Sequence, residues 1–151
     1  YVLTSVNIPN TVTTIGSSAF RNCAALTSIT LPNSITSISN TLFYGCSSLT
    51  SLVIPNSVTT IGIAAFFGCS NLSSVTIPNS VTLIGSQSFV NCSSLTSLTI
   101  PNSVTTIENQ AFRYCTGLTS VTVHWTTPLL INADVFQNIN TITQGYENHS
   151  Y

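Results

Sequence analysis

Any covalent, metal or acid–base chemistry in this chain of 151 residues would have to be built from five cysteines, two histidines and three acids. Cys23, Cys46, Cys69, Cys92 and Cys115 recur at one constant interval. On a chain that coils once per interval they form one column, about 4.8 Å between neighbours. Neighbouring thiols on such a column could just reach disulfide geometry. Their odd number, parallel side chains and position beside Phe argue instead for small buried residues that pack and hydrogen-bond weakly. Zinc needs convergent ligands, commonly including histidine, and neither His124 nor His149 lies in the repeats. Glu108, Asp134 and Glu147 form no obvious carboxylate pair. A Ser/His/Asp set can be drawn from His124, Asp134 and one of many serines, but with so many hydroxyls the drawing is unspecific. No catalytic, cofactor-binding or metal-binding residue is therefore assigned.

The elements that must position these side chains repeat at the same interval. The unit is IPNSVTTIGIAAFFGCSNLSSVT over residues 54–76, and Pro9, Pro32, Pro55, Pro78 and Pro101 keep its register, as do Phe20, Phe43, Phe66, Phe89 and Phe112. A fixed period of this length is the signature of a solenoid. VLTSVNI at 2–8 and its counterparts beginning at Leu26, Leu49, Leu72, Leu95 and Leu118 follow an LxxLxL frame, whose last residues alternate in and out as a short strand. The strands are expected to stack in parallel, each stopped by a Pro that has no amide hydrogen for a ladder. Val12 to Gly16 and its copies predict a second, shorter extended segment on another wall. Ala19 to Cys23 and its copies predict a single helical turn held by Phe and Cys. One coil buries too little to stand alone, so stability is expected to belong to the stack.

The repeats occupy residues 1–123, five to six copies, and the pattern then changes. His124-Trp125-Thr126-Thr127-Pro128 replaces the usual turn, and Phe136 arrives one position later after Phe112 than the repeat would place it. Ile139 then takes the Cys slot and Ile142 the Leu slot, which predicts a degenerate capping repeat over 124–143 and a frayed polar tail over 144–151. His124 and Trp125 are read as cap residues, with an exposed aromatic anchor as the other reading of Trp125. Tyr1 opens inside a repeat without an initiator Met, which is expected of a piece of something longer.

Composition narrows the function. Hydrophobic residues make up 43% of the chain, enough for one continuous core, and they recur at short intervals without the run of about 18 that a bilayer span needs. Only 3% of residues are charged, against about a quarter in an average globular protein, so Ser, Thr and Asn must wet the exterior. With net charge −1 and Arg21 and Arg113 as the only strong bases, no phosphate-neutralising patch can be assembled. Nucleic acid and a polybasic membrane contact are thereby excluded as partners, and membrane insertion is not expected.

The informative surface is the outward side of the strands. Thr27, Ser28, Thr30, Thr50, Ser51, Val53, Ser73, Ser74, Thr76, Thr96, Ser97, Thr99, Thr119, Ser120 and Thr122 form a flat array of short side chains. Solvation accounts for it, since β-branched Thr suits a strand. So does a broad, weak and repetitive binding face, to which Trp125 is added as an anchor. Another column, Thr13, Thr36, Thr59, Thr82 and Thr105, also admits an ice-binding reading. Three Asn-x-Ser sequons, at Asn71, Asn91 and Asn148, arise easily in a chain this rich in Asn and Ser.

Five units from Leu3 to Leu118 carry the phrase I-P-x-S-V-T-x-I-G-x-x-A-F-x-x-C-x-x-L, with Ser39 and Glu108 in place of Gly and Leu42 and Ser88 in place of Ala. In these residues the chain resembles the BspA-like leucine-rich repeats, and its HWTTP…INADVF stretch resembles their aberrant closing unit. The resemblance implies a right-handed solenoid coil, mainly β with short helical turns, with one parallel sheet plus a second short extended segment per coil. It also implies a non-enzymatic product at the cell surface or secreted, adhering to an extracellular protein or glycan. The alternative is a structural protein that assembles with copies of itself through its N-terminal strand edge, since an open edge is a template for another chain.

Overall fold

The computed structural model describes residues 2–139 and the strand 143–145. Each strand of the first wall is three or four residues long: β1 (Ser5–Asn7), β2 (Ser28–Thr30), then, across the intervening coils, β4 (Ser51–Val53), β6 (Ser74–Thr76), β8 (Ser97–Ile100), β10 (Ser120–Val123) and β11 (Thr143–Gly145). Every ladder on it is parallel and offset by one full repeat, as in Ser51↔Ser74 and Ser120↔Ser97. The wall is one surface but three hydrogen-bonded pieces, β1-β2, β4-β6 and β8-β10-β11. Between the first two pieces a single backbone bond from the Thr50 amide to the Thr27 carbonyl, at 3.4 Å, carries the stack.

The second extended segment forms β3 (Ser37–Ile38), β5 (Thr60–Ile61), β7 (Leu83–Ile84) and β9 (Thr106–Ile107), one unbroken parallel sheet in that order. Val12 to Gly16, the first copy, is not a strand. Gly62 and Gly85 sit where coils approach closely: a Cβ on Gly85 would lie 2.8 Å from the Gly62 carbonyl carbon and the Ile61 oxygen. Where Gly is replaced, the new side chain bridges to a neighbouring coil. The Ser39 hydroxyl donates to the Ile15 carbonyl, and the Glu108 carboxylate accepts from the Ser86 amide at 2.8 Å.

The turn wall departs from expectation. Ser18, Thr41, Ala64, Gln87 and Gln110 have φ between 51° and 63°, and Asn22, Gly45, Gly68, Asn91, Tyr114 and Asn138 are left-handed as well. Two left-handed residues per coil cannot belong to a right-handed helical turn, so no helical element is present among the described residues. Backbone donors alternate instead. Ala19, Arg21 and Cys23 bond back within the coil, to Gly16, Ser18 and Phe20, while Ser18, Phe20 and Asn22 reach across to Asn40, Leu42 and Tyr44 of the next coil. Half of the amides of this wall thus join coils, which an isolated helical turn would not allow.

The core is the predicted spine. Phe43, Phe66, Phe89 and Phe112 are fully buried, and the rings from Phe20 to Phe136 stack in one pile at 5.0–5.7 Å, within 16° of parallel. That spacing is the offset-stacked range for aromatic pairs. Ile139 packs against this core, Val135 is buried in it, and Ile142 lies outside the described residues. Ser120 pairs with Thr143 in the usual register, so the one-residue excess at Phe136 is no longer present at β11. Strand β11 runs across the expected boundary between cap and tail at 143, and residues 146–151 of the expected tail lie outside the described residues.

Candidate binding face

Alternation along each short strand turns the middle residue inward. Ile29, Leu52, Val75, Leu98 and Val121 are buried, leaving Ser28, Thr30, Ser51, Val53, Ser74, Thr76, Ser97, Thr99 and Ser120 exposed and Thr122 half-buried. These hydroxyls make no side-chain hydrogen bond among the described residues, and Val53, 81% exposed, sits between Thr30 and Thr76 as a lone apolar patch.

The residue before each strand behaves differently. The hydroxyls of Thr27, Thr50, Ser73 and Thr119 donate to the carbonyl oxygens of Thr4, Thr27, Thr50 and Thr96, one coil back, at 3.0–3.5 Å. The amide of the same residue donates to the same oxygen. These side chains are exposed, yet their donors are spent on the stack; Thr96 is exposed without such a bond. Thr59, Thr82 and Thr105 repeat the device on the second wall, bonding Thr36, Thr59 and Thr82 at 3.2–3.3 Å, so this column does not offer a free hydroxyl lattice.

Two shallow grooves lie where strands give way to Pro-Asn turns. One, of about 490 Å³, is lined by Asn7, Asn10 and Asn33 with Ser28, Thr30, Ser51, Val53, Pro9 and Pro55. The other, of about 460 Å³, joins Ser74, Thr76, Ser97 and Thr99 to Asn79, Pro101 and His124. Asn7, Asn10, Asn33 and Asn79 are not among the residues that the sequence marked for this face. For Asn10, Asn33 and Asn79 the available signal is their recurrence directly after the Pro of each repeat. The grooves hold hydroxyls, amides and proline rings, with the His124 imidazole in the second, and no carboxylate or guanidinium.

Trp125 is half-buried against the core, its indole Nε1 buried without a partner. His124 is exposed and makes no side-chain bond to Asp134 or a serine among the described residues. No group of three or more His, Cys, Asp or Glu able to hold a metal occurs among them, and no helix there is long and apolar enough to cross a membrane.

The cysteines are free thiols in the core, Cys23 half-buried and the other four buried. Cys46, Cys69, Cys92 and Cys115 donate to the carbonyls of Phe20, Phe43, Phe66 and Phe89 at 3.0–3.3 Å. Burial pushes the Cys46 thiol up to about 11, with repulsion from Cys23 adding to it. Burial alone raises Cys115 to about 12. It raises Cys69 and Cys92 too, with repulsion from neighbouring cysteines in the column adding to each. Thiols held neutral in this way are poor nucleophiles and metal ligands.

With this geometry in view, known proteins are informative. The profile of the BspA type leucine rich repeat region matches in 6 copies, over residues 2–119 and 36–146. A leucine rich repeat protein of T. pallidum is similar over 80% of this chain at 32% identity and a TM-score of 0.76, and the match takes up 59% of that protein. A leucine-rich repeat protein from Bacteroides ovatus is 27% identical over 82% of this chain and 38% of its own, with a TM-score of 0.67. A leucine rich cell surface protein from Faecalibacterium prausnitzii is 34% identical over 81% of this chain and 26% of its own, with a TM-score of 0.53. The chain thus spans less than two thirds of each of these proteins. No curated protein matches it.

Proposed function

The chain belongs to the BspA-type leucine-rich repeat family, and on that basis we propose that it is a non-enzymatic recognition module of a secreted or cell-surface protein. Its ligand is an extracellular glycan or polypeptide, bound on the outward strand face. The observation that carries this reading is the contrast between neighbouring hydroxyls. Those of Thr27, Thr50, Ser73 and Thr119 are spent on the stack, while those of Ser28, Thr30, Ser74, Thr76, Ser97 and Thr99 are free and border two grooves that hold no carboxylate or guanidinium. Free donors and acceptors without charge suit a neutral polar ligand, and their repetition supplies avidity where each contact is weak. The surface location is supported by the Faecalibacterium relative, itself a cell surface protein.

Val53→Lys with Thr99→Lys places one long charged side chain in each groove at exposed strand positions. Binding to a panel of neutral glycans and matrix proteins should fall at least tenfold while the melting temperature is held; binding that persists in the double variant rejects this face. Assembly with copies of itself is the competing reading, motivated by β1, which has a ladder partner on one side only among the described residues. Monomers in size-exclusion chromatography at high concentration would eliminate it.

A further inference from the structure

Both strong bases of the chain fall in one column of the turn wall. Arg21, Tyr44, Phe67, Val90 and Arg113 occupy the same slot of successive repeats. The Arg21 guanidinium lies 4.5 Å over the Tyr44 ring, and that ring stacks on Phe67 at 4.7 Å and 5°. Arg113 lies 4.7 Å over the ring of Tyr114 and donates to its hydroxyl at 3.1 Å. Contact with a ring face restrains each guanidinium: Arg21 keeps its N–H edge for a carboxylate, while Arg113, with Nη2 on the Tyr114 hydroxyl and Nε buried, keeps Nη1, so little rotamer freedom is left to lose on binding. Neither arginine forms an ion pair among the described residues. The nearest acid in sequence to Arg113, Glu108, is committed to the Ser86 amide, and the Nε of Arg113 is buried without a partner. Tyr44 and Phe67 are half-exposed between the two charges.

We propose that this column is a second docking surface, separate from the hydroxyl face, for an extended acidic peptide segment running along the solenoid axis. One carboxylate would meet each arginine, and apolar side chains would lie over the edges of Tyr44 and Phe67. Charge complementarity selects an acidic partner, and arginine and tyrosine are the residue types that dominate protein–protein hot spots. A pyranose ring would need an open aromatic face, but Arg21 and Phe67 cover both faces of Tyr44. Four coils at about 4.8 Å separate the arginines by about 19 Å, which an extended strand at about 3.3 Å per residue spans in about six residues. That even number keeps both acids, and two side chains between them, on one side of the strand.

The probe is a synthetic heptapeptide with glutamate at its first and seventh positions, leucine at its third and fifth, and serine elsewhere. Titration calorimetry at low salt should show binding that falls at least tenfold when both glutamates become glutamine. It should fall equally in the Arg21→Gln, Arg113→Gln double variant, and partway in Tyr44→Ala, each variant confirmed as folded by circular dichroism. The Val53→Lys, Thr99→Lys variant should bind the peptide unchanged, so failure of this surface and failure of the strand face are separable. Absence of peptide binding, equal binding of the glutamine peptide, or an unaffected double arginine variant would each overturn the proposal. Arginine-dependent capture of polygalacturonate without peptide binding would also overturn it, giving the column to a glycan.

Discussion

The buried thiol column should make the fold sensitive to alkali. Four cysteines, Cys46, Cys69, Cys92 and Cys115, are held neutral by burial, with folded values of about 11 for Cys46 and about 12 for Cys115, against an ordinary 9.0. For Cys69 and Cys92 the shift is in the same direction. In the unfolded chain they ionise near the ordinary value, so the unfolded state gives up protons first as pH rises. Because the folded values are raised, the stabilisation is fully present below pH 9 and is lost as pH climbs toward the folded values. At pH 10, one unit above the ordinary value, a thiol that stays protonated in the fold favours the unfolded chain by roughly 1 kcal/mol, and four together by several kcal/mol. That is comparable to the whole stability of a small domain. The assay is urea unfolding at pH 7.5 and pH 10 under reducing conditions, for the natural chain and for Cys69→Ala. Tyrosine ionisation affects both proteins alike, so it cancels in the comparison. The variant should lose roughly 1 kcal/mol less than the natural chain between the two pH values; equal losses would refute the neutral-thiol spine.

Phe66→Ala removes a fully buried ring stacked on both sides and should cost about 3–5 kcal/mol in urea unfolding, whereas Phe20→Ala, half-buried with one stacked neighbour, should cost visibly less; equal costs would show that the pile is not cooperative. Ser88 is fully buried with an unpartnered Oγ in a slot that Ala65 and Ala111 fill elsewhere, so Ser88→Ala should stabilise the fold by about 1–3 kcal/mol, and a lower melting temperature would contradict this. Ser57→Ala deletes a half-buried hydroxyl donating to the Ile35 carbonyl at 2.6 Å and should lower stability by about 1 kcal/mol, a change that thermal unfolding resolves. Gly85→Ala forces a Cβ against the backbone of the preceding coil and should sharply lower the melting temperature, an outcome that an unchanged value would exclude.

The coil follows from the order of residues alone. A 23-residue period with Leu, Ile, Val, Phe and Cys in fixed slots leaves no other way to bury them, and the inward set read from that pattern is the observed core. The parallel first wall, the second short segment and the core role of the cysteines were legible for the same reason, since side-chain chemistry repeats with the register. The turn wall was not, because Ala-Phe-x-x-Cys spacing fits a helical turn as well as it fits alternating left-handed residues. What decides between them is the next coil, which supplies Leu42 and Tyr44 carbonyls to the amides of Phe20 and Asn22.

The candidate face divides in the same way. Sequence marked a field of hydroxyls but could not tell Thr27 from Ser28, since both are small, polar and exposed. Only stacking in register with the preceding coil brings the Thr4 carbonyl under the Thr27 hydroxyl and leaves Ser28 facing water. Whether a hydroxyl is free for a ligand depends on a backbone oxygen one coil away, and that proximity exists only once the chain has closed its turn.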